Sequence, residues 1–372
     1  MFFELLFNEY GSGLVVGTPA YNLAVDVSGN VVEVPVAASP VSGTGTANYI
    51  PLWQDSSTLV DSVIFQDGAA TNPAVSIGVG NTISNQSYSI GGSNASSSVN
   101  SVAIGFNNTV DTKNQNLAAG SNNTVSAGNS QALGSQNTAL FTLGAPGVGS
   151  ASSLIGSQNS SDGARVFILG GSNASLTGSN DVAMVGRQNT AANGRTYAFG
   201  DANVAAAFRA FAIGAANTTP SQSSLLIGTN NSSNGGIYQH VLGRNNNINY
   251  NVGIAAFPSN VVLAGLGNTT EWNNAYHFGR GLVSGAASQA LIGHFAEVST
   301  ESLSYVGIGV GSGTSDRLTA MSFKKEPGGG AQIFAEALYN AASYADDTAA
   351  AANGVELGQL YRTGSIVKIR MT

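Results

Sequence analysis

Cysteine is absent from the 372 residues, which excludes a disulfide framework and any thiolate metal site. Charge is scarce: Asp, Glu, Lys and Arg make up 9% of the chain, and the formal net charge is −7. The 13 Lys and Arg are scattered rather than clustered, so the cationic surface that a phosphate backbone needs is missing and no nucleic acid is expected as a partner. No apolar run reaches the length of a membrane-spanning helix, and no membrane insertion is expected. Residues 1–10 hold Phe2, Phe3, Leu5, Leu6 and Phe7, but the stretch also carries Glu4 and Glu9 and lacks a basic n-region, so it does not read as a secretory signal. Synthesis in a cytoplasm is the resulting expectation.

Low charge here does not mean disorder. Apolar residues still make up 42% of the chain, more than a polar linker carries, and Gly contributes 48 residues. Many of these glycines form a column recurring about every 14 residues: Gly78, Gly91, Gly105, Gly120, Gly134, Gly144, Gly156, Gly170, Gly186, Gly200, Gly214, Gly228, Gly243, Gly265, Gly279, Gly293 and Gly309. Each follows an apolar residue, and Asn stands three positions later in 13 of the 17, from Asn81 to Asn268. A short fixed period is the mark of stacked coils. Helices are disfavoured, because Gly and Asn at every turn each cost up to about 1 kcal/mol relative to Ala and the apolar spacing does not follow 3.6. The pattern predicts an all-β parallel β-roll or β-solenoid with coils of about 14 residues.

The residues before each Gly alternate. Three before it stand Val75, Tyr88, Val102, Leu117, Phe141, Phe167, Tyr197, Phe211 and Leu225 among others, and the residue one before is always apolar. Alternate strand residues share a face, so these two columns are expected to be buried together. The Gly is expected at a corner needing positive φ or a close backbone approach, and the Asn at a second corner, with its amides stacked in a ladder. Thr often follows the Asn, as at Thr82, Thr109 and Thr124. The column two before Gly is uncharged and often small (Ser76, Ser89, Ala103, Ala118, Ala132). It is expected to face outward against copies of the same chain, because so small a coil buries too little apolar surface to offset the ordering cost of about 1–2 kcal/mol per residue. Seventeen coils at about 4.8 Å predict a shaft on the order of 80 Å.

Three zones follow: 1–70, an N-terminal attachment or capping region with strand-like Leu14 to Val16, Asn30 to Val36 and Val63 to Phe65; 71–310, the repeat shaft; and 311–372, a C-terminal cap or tip. In the last zone Gln332 to Ala352 reads as helix-compatible, and Gly354 to Thr372 as short strands about a Thr363-Gly364 turn.

Asn100-Ser101-Val102-Ala103-Ile104-Gly105 and its repeats resemble the head of trimeric autotransporter adhesins across roughly 76–309. That resemblance implies a left-handed parallel β-roll and a homotrimer. The chain departs from those adhesins in showing no secretion signal, coiled-coil stalk or anchor segment. Gly43-Thr44-Gly45-Thr46-Ala47-Asn48-Tyr49-Ile50-Pro51-Leu52-Trp53, with Leu59 to Phe65, is similar to a junction of bacteriophage tail-fibre proteins. Tyr344-Ala345-Asp346-Asp347, Gly358 to Gly364 and Val367 to Arg370 resemble a C-terminal segment of phage structural proteins. Together these imply a virion surface appendage, a tail or head fibre, whose partners are a virion attachment protein and a host cell-surface glycan or protein. The alternative is a bacterial trimeric adhesin head. An ice-binding solenoid or a polysaccharide-cleaving tailspike is weaker still.

No catalytic, cofactor-binding, metal or receptor-binding residue is assigned, no cofactor is expected, and the chain is not expected to be an enzyme. His240, His277 and His294 lie in the ladder without a recurring second ligand, so ordinary burial or exposure is the expectation. Asp111, Asp162, Asp181, Asp201, Glu271 and Glu297 are expected to share no ladder position, against the paired carboxylates of a glycosidase. Gly307 to Gly313 lacks a Walker Lys and reads as a flexible exit from the last coil. The sequons at Asn85, Asn94 and Asn173 follow from the Asn column and imply no glycan. Ala95, Ala174, Val204 and Asn247 interrupt the Thr column that an ice-binding face would need. Tyr361 and Arg362 are read equally as tip contacts or as turn and core residues.

Overall fold

The computed structural model describes residues 21–35, 42–43, 45–55, 58–67, 73–84, 86–111, 114–140, 151–176, 178–249, 258–296, 305–315, 317–325, 331–334 and 342–371. The chain divides into two units, Met1–Phe65 and Gln66–Thr372. In the first, Tyr21–Val25 and Val31–Pro35 form an antiparallel hairpin. Its turn is closed by the Asp26 carboxylate, which accepts from the Ser28 and Asn30 backbone N–H groups at 2.9 Å. Those bonds, the Asn30 backbone first, hold the Asp26 carboxyl below its ordinary value. Tyr49–Trp53 runs antiparallel to Thr58–Asp67, and the Asp61 side chain accepts from the Thr46 N–H at 2.7 Å. Leu14 to Val16 lies outside the described residues.

The second unit is dominated by a parallel β-solenoid of about 15 coils of about 14 residues, with very little helix. Each regular coil supplies a strand ending at the corner Gly, such as Val102–Phe106, and then a two-residue strand such as Thr109–Val110. The first kind pairs in register, Gly105 opposite Gly91 and Gly120, and the short kind builds a 13-stranded sheet. One glycine of the sequence column is not a rung. Gly134 pairs directly with Gly156 and not with Gly144, which lies with Phe141 outside the described residues. The rung count falls below the seventeen expected.

Both reasons for the corner glycine hold at once. Gly105 has φ +114, and a Cβ there would sit 2.0 Å from the Gly120 carbonyl oxygen; the same clash recurs up the column. The second corner is displaced by one residue from the expectation. The residue before the Asn, such as Asn107 (φ 54), takes the left-handed conformation, and a third left-handed position lies five before the Gly, as at Asn100 (φ 55). The Asn itself points inward and is buried, and its amide ladder forms as expected. Asn108 Nδ2 donates to Asn94 Oδ1 at 3.0 Å, and Asn123 Nδ2 to Asn108 Oδ1 at 2.9 Å.

The expected inside and outside are reversed. The column two before Gly is the interior: Ala103, Ala118, Ala132, Leu154, Ile168, Met184, Ala198 and Ala212 are all fully buried. The columns three and one before Gly face out, with Tyr88, Ile90, Ile104 and Leu169 exposed. A period of two states only which residues share a face, and a one-residue shift exchanges the faces. Width decides between them. The interior already holds the Asn ladder and the closely spaced glycine backbones, so the aromatic side chains of Tyr88, Phe167 and Phe211 cannot fit and are turned outward. Inside go small or aliphatic groups, with the imidazole of His277 an exception, completed by Val110, Val125, Ala139 and Ala191 from the short strands.

The stack changes character near its C-terminal end. Thr319–Lys325 runs antiparallel to Tyr305–Val310, and Ala331–Phe334 antiparallel to Thr319–Lys325. Gly307 to Val310 are therefore strand residues, not a flexible exit. Arg317 docks on the coils there: its Nη1 donates to Gly281 O at 2.6 Å, and its guanidinium lies over the Phe295 ring at 5.9 Å. Of the stretch Gln332 to Ala352 expected to be helix-compatible, the described residues are helical at Asp347–Ala352, N-capped by Asp346, and strand at Gln332 to Phe334, while 335–341 lie outside them. Ala-rich composition permits a helix but does not outweigh an available strand edge at Gln332. Leu360–Thr363 and Ile366–Ile369 form the final hairpin about Gly364.

Candidate functional surface

The feature that sets this unit apart is the outer face of its long-stranded sheet. On rung after rung the two outward columns carry Tyr88 and Ile90, Val102 and Ile104, Phe167 and Leu169, Tyr276 and Phe278. Ile90 is 44% exposed, Leu169 41% and Phe278 47%. None of these positions holds Asp, Glu, Lys or Arg. The largest apolar patch on a soluble monomer is typically about 300–600 Å² and often functional, which makes this face the candidate interaction surface. It is not smooth. Tyr197 and Phe211 stack with ring centroids 4.5 Å apart, and grooves of about 340 Å³ beside Phe211, Leu225 and His240 and about 300 Å³ beside Gln131, Ser153 and Phe167 lie between side chains.

Charges gather at the margins of this face. Arg187 Nε pairs with Asp201 at 3.1 Å one rung away, and Arg165 with Asp181. The Arg165 hydrogen bond holds the Asp181 carboxyl below its ordinary value and raises the guanidinium's own. These pairs are solvent-exposed, and their net worth is small. Arg195 and Arg209 both lie over the Phe208 ring, at 5.5 and 5.1 Å.

The three histidines occupy three different columns and never meet. His240 pairs with Leu225 and Val262 on an outward column and is exposed, His294 is exposed beside Arg280, and His277 is buried between Leu263 and Leu291. Among the described residues no three His, Asp or Glu side chains cluster to hold a metal. Of the acids, Asp111, Asp162 and Glu271 do share a position, six after the corner Gly, contrary to expectation. They lie on well-separated rungs, with Gly120 and Gly134 between the first two, so they form no pair. Asp111 accepts from Ser97 Oγ at 3.0 Å. Asp181 and Asp201 are committed to Arg, and Glu297 lies outside the described residues.

On the opposite sheet, Thr109, Thr124, Thr138, Ser160 and Thr190 line an outward column that Ala95, Ala174, Val204 and Asn247 interrupt. Asn94 and Asn173 are buried with their Nδ2 groups donating to the ladder, so these sequons present no free amide; Asn85 lies outside the described residues. Tyr361 is a core residue: its ring is buried beside Ala350 and Val355, and its hydroxyl donates to Asp347 Oδ1 at 2.5 Å. Arg362 is half-buried in the hairpin, its carbonyl accepting from Tyr344 N–H at 2.8 Å. The sequence pattern assigns these residues to the interior and so does not single out the apolar face. No protein-family model matches the chain, and no curated protein matches it in sequence.

Proposed function

We propose that the chain is a structural fibre of a bacteriophage particle, tail or head, in which three copies associate through the apolar outer face of the long-stranded sheet. The observation that carries this reading is that face: without Asp, Glu, Lys or Arg on any rung and apolar on most, it needs a cover of the same length and period, and another copy of the chain supplies both. Threefold association rests on the adhesin-head resemblance, and the virion assignment on the tail-fibre and C-terminal segments. Residues 1–70 then attach to a virion protein, 71–310 form the shaft, and 311–372 form a cap or a tip meeting a host glycan or protein. Such contact is weak per chain and strengthened by copy number on one particle.

The test has two parts. Light scattering on the purified protein is expected to give three times the chain mass, and a monomer at micromolar concentration removes the reading. Immunogold electron microscopy of phage from the source culture is expected to label a particle appendage. Label on a bacterial envelope instead would move the assignment to an adhesin.

A further inference from the structure

His277 breaks the chemistry of its column. Its register neighbours on the inward face are Leu263 and Leu291, both fully buried. His277 is fully buried as well, and neither Nδ1 nor Nε2 has a hydrogen-bond partner. Burial pushes its pKa down from 6.5 to about 3, with the Leu282 backbone as a lesser, opposing influence. Its coil also lies where the amide ladder ends: Asn268 Oδ1 accepts from the Leu282 N–H at 3.0 Å, not from another Asn.

The surrounding elements give a protonated ring little help. Strand Val261–Leu266 has no titratable residue, and Tyr276 and Arg280 on the ring's own strand face outward and are exposed. In Gln289–His294 the one titratable group, His294, is also exposed. Thr269–Thr270 leads into the half-buried Glu271, the carboxylate of this coil. The segment Gly281 to Ser284 has no acid, and the cation Arg317 docks on it through Gly281 O. A positive ring inside this coil is therefore desolvated, with the favourable influence of the Leu282 backbone outweighed by burial, and it shares the coil with a bound guanidinium.

We infer that His277 is a buried proton sensor, and that acidification opens the coils from Val261 to Ala296, at the end of the Asn ladder, to hydrate its ring while the Asn-laddered coils before Val261 stay closed. The sign follows from the ring's preference. Folded His277 refuses a proton that an open coil accepts, so stability is unaffected above the ordinary imidazole value. Below it the open fraction grows about tenfold per pH unit until about pH 3. The sensor lies inside one coil, so it does not depend on how many chains associate.

Amide hydrogen exchange on the full chain, wild type against His277→Leu at the same pH, cancels the intrinsic pH dependence of exchange. The wild-type to variant rate ratio for peptides within 261–296 is expected to rise about 25-fold between pH 7 and pH 5, and that for peptides within 198–231 to stay flat. A flat ratio in both regions overturns the inference. So does an equal rise in both, which would mean global unfolding. If His277→Leu does not fold, deuterium exchange at the ring C2 hydrogen of wild-type His277 decides: a midpoint near 6.5 overturns the sensor, and one far below supports it.

Discussion

Asn217 binds three rungs at once. Its Nδ2 donates to Asn203 Oδ1 at 3.0 Å in the preceding coil, to Ile213 O at 3.0 Å in its own and to Gly228 O at 2.8 Å in the next. Its Oδ1 accepts from both the backbone and side-chain N–H groups of Asn231, at 3.1 and 3.0 Å. Asn217→Ala therefore strips partners from several buried groups together. A loss of at least about 2 kcal/mol is expected, since each unsatisfied buried group costs about 1–3 kcal/mol. Asn217→Asp is expected to be worse, because it removes both donors and buries a charge. Equilibrium urea unfolding checks both.

The glycine column makes a sharper prediction. A Cβ on Gly200 would meet the Gly214 carbonyl oxygen at 2.0 Å, whereas a Cβ on Gly267 meets nothing within 4 Å. Both have positive φ, so Gly267→Ala isolates the conformational cost, about 1–2 kcal/mol. Gly200→Ala adds a backbone clash that nothing can relieve without separating two coils. Circular dichroism is expected to show a folded Gly267→Ala protein with a lowered melting temperature and little or no folded Gly200→Ala protein.

Adjacent positions on one strand distinguish the two faces. Ala103→Asp puts a carboxylate in the coil interior and is expected to abolish folding. Ile90→Asp combined with Ile104→Asp puts two on the outer face, and is expected to leave the β-sheet spectrum intact while lowering the mass seen by light scattering. An unchanged mass in the double variant would remove this face as the contact between copies.

In the C-terminal segment, Tyr361→Phe removes the donor to Asp347 and is expected to lower the stability of that segment, read as a lower urea midpoint. The bond to Asp347, first among the causes, raises the hydroxyl's pKa above its ordinary 10.0. For an acid whose folded pKa is raised, the stabilisation is present below the unfolded value and lost as pH rises through the folded one. The phenolate absorption of wild type minus Tyr361→Phe is therefore expected to appear above pH 10.

Much of this was legible from residue types. Gly105 and Asn108 recur because only glycine tolerates the close approach to Gly120 and only a short primary amide has the donors and acceptor for three coils. Both demands come from backbone geometry and survive any change in what surrounds the coil. Gly144 shows the limit of periodicity: it continues the spacing, yet Gly134 pairs past it to Gly156, because hydrogen-bond register and not sequence distance defines a rung. The short helix at Asp347–Ala352 was legible only in kind, since the competing strand partner of Gln332 is remote in sequence.

By itself the sequence determined the solenoid, its period, the glycine corners and the amide ladder, because each arises from local backbone demands repeated coil by coil. Only the tertiary structure decided which side of each strand is the interior. Alternation makes Ala103 and Ile104 opposites without saying which is inside. The choice falls to the width of a closed coil, too narrow for Tyr88 or Phe167, and so the small residues are enclosed and the large ones form an outer surface.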